Sequence, residues 1–178
     1  FMRQAIAIAK ETDKPVKLVW SRENDIQHDM YRPAVSSRFE VAIEGNGRPV
    51  AWKNHYIGKN EPAEAAHIPY AIENQSIRWV ESPTHVPYGP WRSVAHTQHT
   101  YFIESFVDEL AHAVGKDPYV FRRELLADQP RHLAVLNKAA EAAGWGEALP
   151  AGHGRGIAVQ QSFGTVVAEV AEISIDDQ

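Results

Sequence analysis

Apolar residues recur along this chain with two periods, and the points where one period gives way to the other mark out its elements. Residues 2 to 12, MRQAIAIAKET, are good helix formers, and Asp13-Lys14-Pro15 ends them because a residue before proline is pushed out of the helical region. Val16 to Trp20 reads as a short strand, whereas residues 21 to 35, SRENDIQHDMYRPAV, carry neither period and read as a long loop. Phe39, Val41 and Ile43 alternate with polar neighbours, Asn46-Gly47 offers turn residues, and Val50, Trp52 and Tyr56 resume the alternation, which predicts a hairpin. Residues 58 to 75, rich in Asn, Glu, Pro and His, predict a loop or lid. Ser76 to Val80 predicts another strand, followed by the Pro-rich turn SPTHVPYGP.

Beyond that turn the period becomes helical. Phe102, Ile103, Phe106, Val107, Leu110 and Val114 predict a helix from His96 to Val114 with Gly115 at its C-terminal cap. Phe102, Phe106 and Leu110 are expected to be buried against Val16, Leu18, Phe39 and Val41. Asp117-Pro118 and Gln129-Pro130 each place Pro at a first helical position and open two further helices, the second stopped by Gly144. Gly144 to Gly156 reads as a connector, and Arg155 to Val159 and Thr165 to Ile175 as strands. The pattern is that of an α/β (α+β) fold with a mixed sheet and packed helices. The composition shift puts a domain boundary near residue 150, with residues 1–150 in one domain and 151–178 opening a second.

Composition narrows the function. The 178 residues are 44% hydrophobic and 23% charged, ordinary values for a folded water-soluble chain. A formal charge of −5 with scattered Lys and Arg leaves no basic footprint, so nucleic acid is not expected as a partner. With no cysteine there are no thiolate ligands, no Cys-held iron–sulfur cluster and no Cys nucleophile in this sequence. No apolar run reaches the length of a membrane-spanning helix. The chain opens on Phe1-Met2-Arg3 inside a helical pattern and closes on Ile175-Asp176-Asp177-Gln178 straight after a strand, so an internal piece of a longer protein is expected.

Among residues that carry chemistry, His96, His99 and Glu104 invite a metal reading. Zinc helices, however, place His at i and i+4 with Glu between them, and the spacing here favours two polar residues in a first helical turn. Gly152-His153-Gly154-Arg155-Gly156 precedes a strand where a phosphate loop would precede a helix, so it reads as a flexible approach. Glu104, Asp108 and Glu109 read as a solvated helix face. The most informative segment is Pro87-Tyr88-Gly89-Pro90-Trp91-Arg92-Ser93-Val94. This stiff turn holds a guanidinium and several backbone N–H groups at the start of the strongest helix, where anionic groups are stabilised. The competing reading is a structural turn whose Arg92 pairs with a carboxylate.

GPWRSVAHTQHTYFIESFVDELAHAVGKDPYVFRRELL resembles the large, molybdopterin-binding subunit of molybdenum hydroxylases of the isoquinoline 1-oxidoreductase and aldehyde dehydrogenase type. KPVKLVWSRENDIQHDMYRPAVSSRFEVAI before it and LNKAAEAAGWGEALPAGHGRGIAVQQSFGTVVAEVAEISI after it resemble the same family in order. The related xanthine dehydrogenases and aldehyde oxidases carry Phe-Arg-Gly-Phe-Gly-Gly-Pro-Gln, where this chain has Trp91 to Gln98. Arg and Gln are kept and the glycines are lost.

The resemblance implies Arg92 as a catalytic residue and Trp91, Arg92, Ser93, Val94 and Gln98 as cofactor contacts, with Tyr88 and Trp91 as an apolar wall. It implies molybdenum on molybdopterin cytosine dinucleotide, where a metal-held hydroxide, activated by a glutamate, attacks an electron-poor carbon of an N-heterocycle or aldehyde. Electrons would leave through iron–sulfur clusters on a small partner subunit, with a cytochrome c as a further acceptor. The compartment, bacterial cytoplasm or periplasm, stays open. The family's Gly-rich cofactor stretch and its Gly-x-Gly-Glu segment do not occur in these residues, so the chain alone is expected to be catalytically silent. A reading from another class is a non-catalytic interaction module that keeps the fold without cofactor.

Overall fold

The computed structural model describes residues 1–59 and 63–175, and the chain divides into two compact units. One comprises residues 1–32 and 86–90. Its first helix, α1 (Met2–Thr12), ends as expected: Asp13 is left-handed at φ 48° and its N–H returns to the Ala9 carbonyl. Trp20 folds back on α1, its ring 4.2 Å from that of Phe1 and its Nε1 donating to Gln4 at 2.9 Å.

Two sequence expectations fail in this unit. Val16, Leu18 and Trp20 are half-buried while Lys17 and Val19 are exposed, so the alternation is real, yet the segment is in no β-ladder. Alternation can prepare a strand, but only a neighbouring strand completes one. The supposed loop contains a second helix, α2 (Arg22–His28), started by Ser21 accepting from the Asn24 N–H and favoured by Glu23 and Asp25 in its first turn. It buries no residue, so hydrophobic periodicity could not have revealed it. Pro87 and Gly89 are tied to Tyr31 by backbone hydrogen bonds of 3.2 and 3.1 Å. A Cβ on Gly89 would lie 2.9 Å from the Met30 Cβ, so this close approach needs glycine.

The larger unit, residues 33–85 and 91–178, holds the core. Strands β1 (Val35–Ile43), β2 (Pro49–Gly58) and β3 (Asn74–Glu81) form a sheet in that order, β1 and β2 antiparallel and β2 and β3 parallel. The hairpin lies where Asn46-Gly47 placed it. Gly47 takes φ 81°, while the Asn46 side chain accepts from the Arg48 N–H. The crossover to β3 is largely a loop, as expected, and its described residues are partly packed into the core. Beyond residues 60–62, which lie outside the described residues, a 3₁₀ turn (Ala63–Ala66) and Tyr70 and Ile72 are packed into the core.

Helices α3 (His96–Ala113), α4 (Pro118–Leu125) and α5 (Pro130–Ala142) follow, then the hairpin of β4 (His153–Ser162) and β5 (Thr165–Ser174). Lys116 N–H bonds to the Ala111 carbonyl and Gly115 N–H to that of His112, a Schellman ending for α3. The α3 residues that enter the core are Ile103, Val107 and Leu110, packed with Trp52, Phe121, Leu136 and Ile157. Phe102 and Phe106 are only half-buried, a correction to the expected stripe. Phe106 nevertheless stacks on Phe39 at 4.8 Å, so α3 does lie on β1 as the pattern required. The mixed sheet with packed helices matches the expected α/β class.

Candidate functional site

The segment from Trp91 to Ala95 enters α3 through two tight turns, with Val94 N–H bonded to the Trp91 carbonyl and His96 N–H to that of Ser93, both at 3.0 Å. Making them takes Ser93 to φ 66° and Val94 to φ 47°. Left-handed backbone costs an L-residue roughly 1–2 kcal/mol, and a β-branched residue there is unusual. Ser93, a position where the resemblance leads one to expect glycine, takes the backbone conformation that glycine favours. No side chain caps α3, and its N-cap residue Ala95 is already in the right-handed helical region. The first N–H groups of such a helix have no intrahelical acceptor and present positive potential.

Trp91, Arg92, Ser93 and Val94 are all exposed, and Gln98 is half-buried. Arg92 forms no ion pair among the described residues, so the structural-pair reading finds no carboxylate here. Its carbonyl accepts from the Thr97 hydroxyl at 3.3 Å, which ties the turn to the helix.

Beside this turn lies a cavity of about 460 Å³, with Ser93, His96, Thr97 and Thr100 on one side and Gln160, Ser162 and Glu169 of the β4–β5 hairpin on the other. Of the five residues singled out from sequence, only Ser93 lines it; Trp91, Arg92, Val94 and Gln98 do not. A second cavity of about 390 Å³ shares His96 and Gln160 and adds His132 and Phe163. The His96 ring thus separates two hollows, its edge against Phe163 at 5.2 Å. Phe163 and Gly164, both at positive φ, make the tight turn between β4 and β5 and leave the Phe163 ring exposed. Sequence reading missed Gln160, Ser162, Glu169 and Phe163 altogether.

The histidines do lie in the first turn of α3, as expected, and both His96 and His99 are buried there. Burial, reinforced by the nearby His96, pushes His99 down to about 4, so its imidazole is neutral. Its ring stands edge-on to Tyr56 at 4.7 Å. Among the described residues, no group of three or more His, Asp or Glu side chains is placed to hold a metal ion.

Glu104 is the larger correction. The supposed solvated face turns this carboxylate into the core, where it accepts from Tyr70 Oη at 2.7 Å, Arg122 Nε at 3.0 Å and the Val159 N–H at 2.9 Å. Arg122 is fully buried and also pairs with Asp108, whose side chain stays partly exposed, so of the three carboxylates only Glu104 leaves the solvated face. Burial pushes the Glu104 carboxyl up, against the opposing pull of Arg122, Tyr70 and Val159. Burial alone would lower Arg122, but Glu104, Tyr70 and Asp108 carry it upward instead. The guanidinium cannot shed its proton, so the ionised pair is the state consistent with these contacts.

Comparison with known proteins places this arrangement. The chain is 26% identical to the beta subunit of isoquinoline 1-oxidoreductase from Brevundimonas diminuta over 79% of its own length and 20% of that protein's. It is also 26% identical to a membrane-bound pyrroloquinoline-quinone aldehyde dehydrogenase from Gluconacetobacter polyoxogenes, over 92% of this chain and 27% of the other. In fold it resembles quinoline 2-oxidoreductase from Pseudomonas putida 86, with a TM-score of 0.61 and 18% identity over 88% of this chain and 25% of that one. The aldehyde oxidoreductase from Desulfovibrio desulfuricans gives a TM-score of 0.60 and 18% identity over 85% of this chain and 20% of that one. The chain thus spans about a fifth to a quarter of the length of the proteins it matches. The molybdopterin cofactor-binding domain model matches residues 3–126, well over half of the chain, and the chain belongs to that family.

Proposed function

We propose that this chain is part of the large subunit of a molybdenum hydroxylase and forms one wall of its cofactor and substrate site. The observation that carries this reading is the family match over residues 3–126, the stretch that contains the Trp91–Gln98 turn. Residues 1–150 belong to the first cofactor-binding domain and 151–178 open a second. In support, the family match ends at residue 126 and β4–β5 form a sheet of their own.

The residues present suit a pterin bearing a phosphate. Hydroxyls of Ser93, Thr97, Thr100 and Ser162 and the Gln160 amide offer both donors and acceptors around a cavity of about 460 Å³, a size typical of small-molecule sites. The start of α3 and Arg92, which forms no ion pair among the described residues, offer positive charge to an anionic group. When bound, the molybdenum group supplies the oxygen-transfer and two-electron chemistry.

This chain's own residues bind and orient. Arg92 stabilises negative charge on the substrate or holds an anionic group of the cofactor. Trp91 and Val94, exposed beside it, provide apolar surface for a flat substrate, an N-heterocycle or an aldehyde. Trp91, Arg92, Ser93, Val94 and Gln98 act as the cofactor-contact segment. In this reading the cofactor is the cytosine dinucleotide form, and electrons leave through iron–sulfur clusters on a partner subunit. No helix among the described residues is long and apolar enough to cross a membrane.

The test is molybdenum content and turnover of the full-length protein and of its Arg92→Lys variant. Loss of one preorganised donor typically lowers the rate about a hundred- to a thousand-fold, and Lys lacks the planar fork. Full metal loading with wild-type turnover in the variant would remove Arg92 from the site. A wild-type protein that binds neither molybdenum nor pterin would remove the function.

A further inference from the structure

Glu104 is placed to do more than balance Arg122. Thr97, Thr100 and Glu104 follow one another along a single face of α3, at i, i+3 and i+7, and the first two of them line the 460 Å³ cavity. The opposite wall of that cavity includes Val159 and Gln160 of β4. Val159 stands opposite Ala168 in the β4–β5 register, but its N–H points out of the hairpin to Glu104 Oε2 at 2.9 Å. The carboxylate therefore takes the place of a neighbouring strand's carbonyl at the open edge of β4. Its other oxygen accepts from Tyr70 in the β2–β3 crossover, and Arg122 of α4 holds it from the side while also bonding the Glu104 carbonyl at 2.9 Å. One side chain thus ties three separate segments to α3, one turn below the cavity.

We infer that Glu104 is a positioning residue of the candidate site: by fixing β4 against α3 it sets the separation of the two cavity walls, and with it the binding of the cofactor. The inference rests on the proposed function, which makes this cavity part of the site. A carboxylate suits the role because one oxygen can accept from Arg122 and Val159 together while the other accepts from Tyr70, whereas a nearly isosteric amide loses the charge that faces Arg122 and keeps three contacts only if the Tyr70 hydroxyl turns from donor to acceptor. Being buried, the strut is shielded from the solvent that would weaken a surface pair.

The experiment uses full-length protein carrying Glu104→Gln, with Tyr70→Phe as a milder variant that removes one donor and leaves the shape. Hydrogen exchange of the β4 amides, molybdenum and pterin content, and KM and kcat are measured against wild type. Glu104→Gln is expected to raise exchange in residues 153–162 by about tenfold or more while β1 and β2 stay protected, and to lower cofactor content at least about twofold. Tyr70→Phe should shift both in the same sense, by about two- to fivefold. If Glu104→Gln does not fold, Tyr70→Phe decides on the same two measures. A lowered melting temperature with wild-type β4 exchange and wild-type cofactor content would make Glu104 a stabilising residue only and overturn the inference. A wild-type protein without cofactor would sink the proposed function instead, and the exchange measurement would still report on the strut.

Discussion

Helices α3 and α4 begin in opposite ways. At α4 the side chain of Asp117 accepts from the N–H groups of Tyr119 and Val120 at 2.9 and 3.0 Å, Pro118 takes the first helical position, and Trp145 Nε1 donates to the same carboxylate. Every device there lowers local free energy. At α3 no side chain caps the helix, two non-glycine residues precede it at positive φ, and four consecutive side chains from Trp91 to Val94 are exposed. The two starts are separated by one 18-residue helix, so the difference is not one of general stability. A strained, uncapped entry persists where the surrounding packing holds it, here Ala95, His96 and His99 buried beneath the turn. It leaves the Arg92 side chain exposed and in no ion pair among the described residues, beside a helix start that no side chain caps.

The strongest way to disturb both starts is to cut what joins the helices. Arg122→Ala leaves Glu104 buried without its counter-charge, and the full chain should lose about 3–5 kcal/mol in a urea melt. A loss below about 1 kcal/mol would mean that the pair contributes little.

Acid acts next, and on the α3 start. His99 is held down to about 4 by burial, below its ordinary 6.5, so the folded chain binds fewer protons than the unfolded one. Its contribution is therefore complete above about pH 6.5 and declines as the pH falls from there towards 4. The helix N-terminus adds to the penalty for a charged imidazole. Melts from pH 7 to 4 should fall less steeply for His99→Gln than for wild type, and parallel curves would rule His99 out as the cause.

Asp117→Ala removes the α4 cap and should cost about 1 kcal/mol, with 2 as an upper value. Circular dichroism melts of this variant would test whether the well-capped start stabilises as its geometry says. The smallest effect is expected at the strained start. Ser93→Gly relieves a left-handed serine but adds freedom to the unfolded chain, so a gain of less than about 1 kcal/mol should remain. If the strain serves the site, that gain in melting temperature should be accompanied by no gain in turnover. A clear loss of stability would mean that the Ser93 side chain is held by more than its backbone.

The α4 start, the Asn46-Gly47 hairpin and the extent of α3 were legible in sequence because each depends on neighbours a few residues away: a cap, a turn glycine, a helical period. Val16 to Trp20 shows the limit of such reading, since its alternation is present but the partner that would make it a strand is not written in the segment. The Arg22–His28 helix shows another, because capping alone makes it and no apolar face announces it. The Arg92 turn could be singled out from Pro and Arg in the chain, but not the left-handed backbone at Ser93 and Val94. Glu104 could not be placed at all. Its partners Arg122, Tyr70 and Val159 lie 18, 34 and 55 residues away, and a carboxylate becomes buried or solvated according to whether those donors arrive. The cavity likewise joins the start of α3 to a hairpin some sixty residues on. Local free energies chose the elements, whereas desolvation and long-range hydrogen bonding, which exist only once the chain has closed on itself, decided which polar groups face the core and which face the site.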